Sequence, residues 1–221
     1  MDGRRDAPYV SPERWDQELR DAGFQGVEAV MHDLKPPFQA SYTMLSSISG
    51  SSSSKMDVTL LISESPGEWA GIVFQELTAL GYNVRWATLH DKPVENNLII
   101  SLLDVEEPFL HSLSSQRYES LLRYLLNIEG CRLIWVTRLT QYGCIDPNYA
   151  LVPGFARSLR RELSLLLYTF EVDVFNTEAA RALSNIVSKA EEDHNKPHGV
   201  HEYEFILYDG CVHIGRCHWG V

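Results

Sequence analysis

The chain has 221 residues, of which 44% are hydrophobic, and a formal net charge of −11 from 19 basic and 30 acidic side chains. Acid on that scale argues against nucleic acid or an anionic membrane surface as a partner, because both are bound through basic patches. No stretch approaches the roughly 18–20 uninterrupted apolar residues of a membrane span. Met1–Gln17 shows no apolar core after its charges, so it does not read as a secretory signal. The four cysteines, Cys131, Cys144, Cys211 and Cys217, are too sparse for a disulfide scaffold and suit the reduced thiols of a cytoplasmic protein.

The sequence predicts a helix opening at Ser11-Pro12-Glu13, with Ser as N-cap, Pro at the first helical position and acid in the first turn. Trp15, Leu19 and Ala22 space its apolar face, and Gly23 ends it. Two strands are expected next, Gly26–His32 and Phe38–Leu45, separated by Lys35-Pro36-Pro37. The Ser/Gly run 46–55 reads as a flexible linker. It divides a segment of residues 1–45, below the size that normally folds alone, from a main body of residues 56–221.

The main body alternates strands and helices, the signature of a mostly parallel sheet. The expected order is strand Val58–Ile62, helix Trp69–Leu80, strands Tyr82–Leu89 and Asn97–Leu103, then helix Ser114–Ile128 with Tyr118, Leu121, Leu122, Leu125 and Leu126 on its apolar side. Strand Arg132–Thr137, loop Gln141–Asn148, helix Val152–Leu165, strand Thr169–Phe175 and helix Glu178–Ala190 follow. A polar stretch, Glu191–Gly199, leads to Glu202–Tyr208 and Cys211–Gly215, joined through Asp209-Gly210 as a hairpin.

The turn after the first strand of the main body, Ser63-Glu64-Ser65-Pro66-Gly67-Glu68, stands where a dinucleotide-binding fold carries its glycine-rich phosphate loop. Such a loop needs glycines so that backbone N–H groups can approach the pyrophosphate. Here there is one glycine, a proline that removes a donor, and two carboxylates that repel phosphate. No cofactor-binding residue is assigned.

Catalytic constellations are missing as well. A reductase of this architecture needs a Tyr with a Lys or Asn four residues on, yet Tyr142 gives Asp146, Tyr149 gives Pro153 and Tyr168 gives Val172, and the remaining tyrosines do no better. There is no G-x-S-x-G elbow, and Cys144 has no base supplied beside it in the sequence. Glu64 and Glu68 read as acid complementing a helix dipole rather than as an acid–base pair. Cys211, His213, Cys217 and His218, with His194, His198 and His201 nearby, lack the tight pairs of a zinc site and read as a polar loop and an edge hairpin. No catalytic or metal residue is assigned.

The helix Gly154-Phe155-Ala156-Arg157-Ser158-Leu159-Arg160-Arg161-Glu162 concentrates basic charge in an acidic chain. Arg157, Arg160 and Arg161 suit either a docking face for an acidic partner or a solvated helix with its own ion pairs, each pair worth little.

The opening Asp2–Ser11 through Trp15, then Leu19 and Ala22–Gly26, resembles the C-terminal end of the C-methyltransferase domain of fungal highly reducing polyketide synthases. Leu133–Thr137, the Gly154–Glu162 helix, Glu202–Glu204, Asp209-Gly210 and Gly215-Arg216 resemble the pseudo-ketoreductase that follows it. The Gly-x-Ala-Arg-x-Leu-Arg-x-Glu core is the most specific of these segments, and the resemblance covers nearly the whole chain.

The resemblance implies a three-layer α/β/α unit, a truncated Rossmann-like relative of short-chain reductases with a mostly parallel sheet, preceded by a helix and a strand pair from a methyltransferase tail. It implies a non-catalytic role, packing against the catalytic ketoreductase of the same synthase. The enoyl reductase would be inserted between the two halves and the acyl carrier protein engaged indirectly. NADPH and S-adenosylmethionine would belong to neighbouring domains. The alternatives are a stand-alone fragment acting on a polyketide intermediate, or a partner acting on a synthase in trans.

Overall fold

The computed structural model describes residues 11–35, 38, 41–47, 55–128, 130–163, 165–194 and 201–215. The chain divides into two units, residues 1–54 and 55–221.

In the first unit, helix α1 (Pro12–Asp21) begins as the sequence predicts: the Ser11 side chain accepts from the Arg14 N–H and Pro12 opens the first turn. None of its residues is buried, so the expected apolar face of Trp15 and Leu19 is not covered within the described residues. Strands β1 (Ala29–His32) and β2 (Tyr42–Leu45) pair antiparallel, from Ala29 opposite Leu45 to His32 opposite Tyr42. The first strand is shorter than the expected Gly26–His32 because Gly26 takes a left-handed φ of 90° and packs against Asp16 and Arg20. Ser46 and Ser47, expected in the linker, are tied to this unit through Gly26 O at 2.6 Å and the Glu28 carboxylate at 2.9 Å. Residues 48–54 of that linker lie outside the described residues.

The second unit runs β3 (Asp57–Leu61), α2 (Glu68–Ala79), β4 (Asn83–Ala87), β5 (Leu98–Ser101), α3 (Ser115–Leu125), β6 (Arg132–Arg138), a 3₁₀ turn (Pro147–Ala150), α4 (Leu151–Leu163), β7 (Leu166–Val172), α5 (Thr177–His194), β8 (Glu204–Tyr208) and β9 (Cys211–Ile214). Its seven strands lie in the order β4-β3-β5-β6-β7-β8-β9, all parallel except the last. The connectivity reverses between β3 and β5, which is where open α/β sheets form their ligand crevice. Compared with a six-stranded 3-2-1-4-5-6 sheet, no strand among the described residues lies beyond β4.

Alternation along the strands feeds two cores. Val58, Leu60, Ile134, Val136, Phe170 and their neighbours pack under α2 and α5; Leu61, Ile99, Leu133, Trp135 and Leu167 pack under α3 and α4. Both faces are covered, which is why the strands read as continuous apolar runs.

Three expectations need correction. The strand after α4 spans Leu166–Val172, three residues earlier than Thr169–Phe175, because the apolar run from Leu165 to Tyr168 enters the sheet at once. Helix α5 continues to His194, four residues into the expected polar stretch. On α3 the covered side is Leu121, Tyr124 and Leu125, whereas Tyr118, Leu122 and Leu126 are exposed. The Asp209-Gly210 hairpin forms as expected, with both residues at positive φ and Asp209 N–H donating to Asp173.

Candidate functional site

The crevice at the switch point is built from two segments, the turn 63–67 leaving β3 and the loop 102–109 leaving β5. They enclose a cleft of about 360 Å³ bordered by Glu64, Gly67, Glu106, Glu107 and Arg117. Gly67 is the N-cap of α2, with φ −69° and ψ 171°, and contributes no side-chain cap. A Cβ added at Gly67 would collide with the Glu106 carboxylate, so that carboxylate lies directly against the start of the helix.

The loop 102–109 is held from below. Buried Asp104 accepts from Phe109 N–H at 3.0 Å and from the Trp135 indole N–H. Burial pushes its carboxyl up to about 7, against the opposing pull of those two donors. Leu102 N–H joins Leu61 O at 2.9 Å. Arg138 donates to Val105 O at 2.9 Å while its guanidinium lies 4.9 Å from the Phe175 ring centre and 5.8 Å from that of Tyr149. Trp69 packs on Phe175 at 4.7 Å and donates to Asn176 O, closing the side of the crevice next to α5.

The arginine helix is committed to its own sheet. Arg157 donates to both oxygens of Glu204, at 2.8 and 2.6 Å, and to the Gln141 side-chain oxygen at 2.9 Å. Arg160 donates to Glu204 at 2.7 Å and to Leu167 O at 3.1 Å, with its guanidinium over Tyr203. The bond from Arg157 holds the Glu204 carboxyl below its usual range, and the same bond raises Arg157. Arg161 is exposed and makes no ion pair among the described residues. Glu204, not Glu162 on the same helix, is thus the counterion. The only sequence signal for it is its place in the Glu202–Glu204 segment that carries the family resemblance.

A residue that sequence reasoning passed over, Glu171 on β7, is fully buried and accepts four hydrogen bonds, from the backbone and side chains of Thr140 and Gln141 at 2.6–3.0 Å. It fixes the loop after β6, where a reductase of this fold would present its serine. Tyr149 is buried beside Arg138, and Tyr142 is half-exposed with its ring on Tyr208. Cys144 and Cys211 are exposed free thiols. Among the described residues no three His, Cys, Asp or Glu side chains lie close enough to hold a metal ion; His198, Cys217 and His218 lie outside them. No helix among the described residues is long and apolar enough to cross a membrane.

Residues 73–218 match the model of a family described as an sdrA-like, NAD(P)-binding Rossmann-fold domain of highly reducing polyketide synthases. The chain belongs to that family. It is 32% identical over 222 residues to a highly reducing polyketide synthase of a Fusarium species, covering 99% of this chain and 9% of that protein. It is 35% identical over 217 residues to one from Glarea lozoyensis, covering 98% of this chain and 8% of the relative, and 32% identical over 216 residues to one from Aspergillus fumigatus, covering 96% and 8%. The chain thus spans less than a tenth of the length of these relatives. It is a piece of the highly reducing polyketide synthase type. The family match begins inside α2, so the turn 63–68 lies outside it.

The family's description raises the dinucleotide, and the crevice residues do not suit one. A pyrophosphate at the start of α2 would meet the Glu106 carboxylate at Gly67, with Glu64 and Glu107 beside it. Arg117, the cation of that lining, is already paired with Glu107 at 3.2 Å. Two negative groups brought together in a half-closed cleft repel each other strongly.

Proposed function

We propose that this chain is a non-catalytic, structural part of a highly reducing polyketide synthase: a pseudo-ketoreductase at residues 56–221, preceded by a methyltransferase tail at 1–45 and a linker at 46–55. In this reading it packs against the catalytic ketoreductase of the same synthase, with the enoyl reductase as neighbour. NADPH and S-adenosylmethionine serve other domains, and the carrier protein is engaged only through them. The observation that carries the reading is the switch-point crevice, whose phosphate position is lined by acid and packed by the chain's own Glu106. The tyrosines agree with it: none has Lys or Asn four residues on.

The reading also assigns the Arg157, Arg160 and Arg161 helix to the partner-facing surface. Arg157 and Arg160 share Glu204, so Arg161 carries the charge left for an acidic partner.

The test is reconstitution with the separately expressed ketoreductase half of the same synthase. Scaffolding predicts co-elution in size exclusion and a higher melting temperature for the ketoreductase. A ketoreductase that neither binds this chain nor gains stability from it overturns the proposal.

A further inference from the structure

We infer that the loop after β5 supplies the nucleotide fold with a built-in anion: the Glu106 carboxylate takes the place at the start of α2 that a dinucleotide pyrophosphate takes in binding members of the fold. This rests on the scaffold reading and adds the device that keeps the crevice closed to phosphate.

The first-turn N–H groups of a helix carry partial positive charge and attract an anion. At α2 the cap is Gly67, which offers them no side chain. Its φ of −69° is one any residue adopts, so the backbone does not require glycine there. What a side chain would meet there is the end of the exposed Glu106 side chain, which would have to move aside.

The backbone that carries Glu106 is fixed by its neighbours. Val105 is buried, with its carbonyl held by Arg138, and Asp104 is held by Trp135 and Phe109. Glu106 makes no ion pair among the described residues, although Arg117 and Arg138 border the same surface, and its carboxylate lies against the start of α2. The turn alone would be a poor phosphate site; the loop from β5 makes it a filled one.

The test follows the backbone amide resonances of Glu68, Trp69 and Ala70 in the 221-residue chain during titration with inorganic pyrophosphate. Glu106→Ala should bind pyrophosphate there about tenfold tighter than the unaltered chain, the scale of one charge at a helix N-terminus. Glu64→Gln, which removes charge from the same cleft without clearing Gly67, should gain about twofold or less because it acts through solvent. Gly67→Ala should shift the same three amides without any ligand, since its methyl displaces the carboxylate.

Equal pyrophosphate binding by the unaltered chain and Glu106→Ala, an equal gain in Glu64→Gln, or unmoved amides in Gly67→Ala would each overturn the inference. None of these touches the scaffold reading, which fails separately if the unaltered chain binds NADPH.

Discussion

The crest of β3 and β5 and the seam between α4, β7 and β8 both carry several carboxylates, yet they treat them in opposite ways. In the seam, Glu204 is shared by two arginines and Glu171 takes four hydrogen bonds, so negative charge joins a helix, a loop and two strands. At the crest, Asp104 is buried with two neutral donors and no cation, and Glu64, Glu68 and Glu106 make no ion pair among the described residues. Matched charge there holds elements together. Unmatched charge determines what can approach.

The largest contrast should appear in pH dependence. Burial raises the folded-state pKa of Asp104 from 3.8 to about 7, so the folded chain holds this proton more tightly than the unfolded one. Its contribution to stability is therefore full below about pH 4 and lost as pH rises through about 7, by at most about 4 kcal/mol. Urea unfolding at stepped pH should show that decline, and Asp104→Asn should flatten it. An unchanged slope in the variant would contradict the assignment. Glu204 should behave with the opposite sign. Its folded pKa is lowered, so its contribution is present above the ordinary carboxylate range and disappears as pH falls through the lowered value.

Removing the seam's charge tests the other half. Glu171→Ala removes a fully buried acceptor from half-buried Thr140 and exposed Gln141, whose donors can turn to water, and should cost about 2 kcal/mol in urea unfolding. A cost within about 0.5 kcal/mol, as for an ordinary surface change, would refute the role given to that residue. Glu204→Gln keeps the shape but not the charge and should cost about 1 kcal/mol, since Arg157 remains largely solvated. The smallest effect on stability belongs to Arg161→Glu, within about 0.5 kcal/mol. That variant should nevertheless weaken co-elution with the ketoreductase half; full retention of binding would remove the arginine helix from the proposed interface.

The sequence made the scaffold legible because buried parallel strands are apolar throughout, and every strand and helix of the second unit was expected within a few residues of its place. It failed where a long-range partner decides the outcome. Glu171 looks like a solvent-facing residue of an alternating strand, and its donors lie 30 and 31 residues away. Arg157 has an acidic neighbour on its own helix but pairs with Glu204, 47 residues on. The Tyr118, Leu122 and Leu126 stripe of α3 is as apolar as the covered side, so periodicity could not separate them. The acid at Ser63–Glu68 was visible in the sequence. That Glu106 from another loop lies against Gly67 was not.

The most direct test of the central claim is a calorimetric titration of the 221-residue chain with NADPH, with intrinsic tryptophan fluorescence, to which Trp69 at the edge of the crevice contributes, as a second reading. The account predicts no saturable heat and no saturable quenching. Saturable binding of NADPH, lost on mutation of the residues around Gly67, would show that the crevice holds a nucleotide and would contradict it.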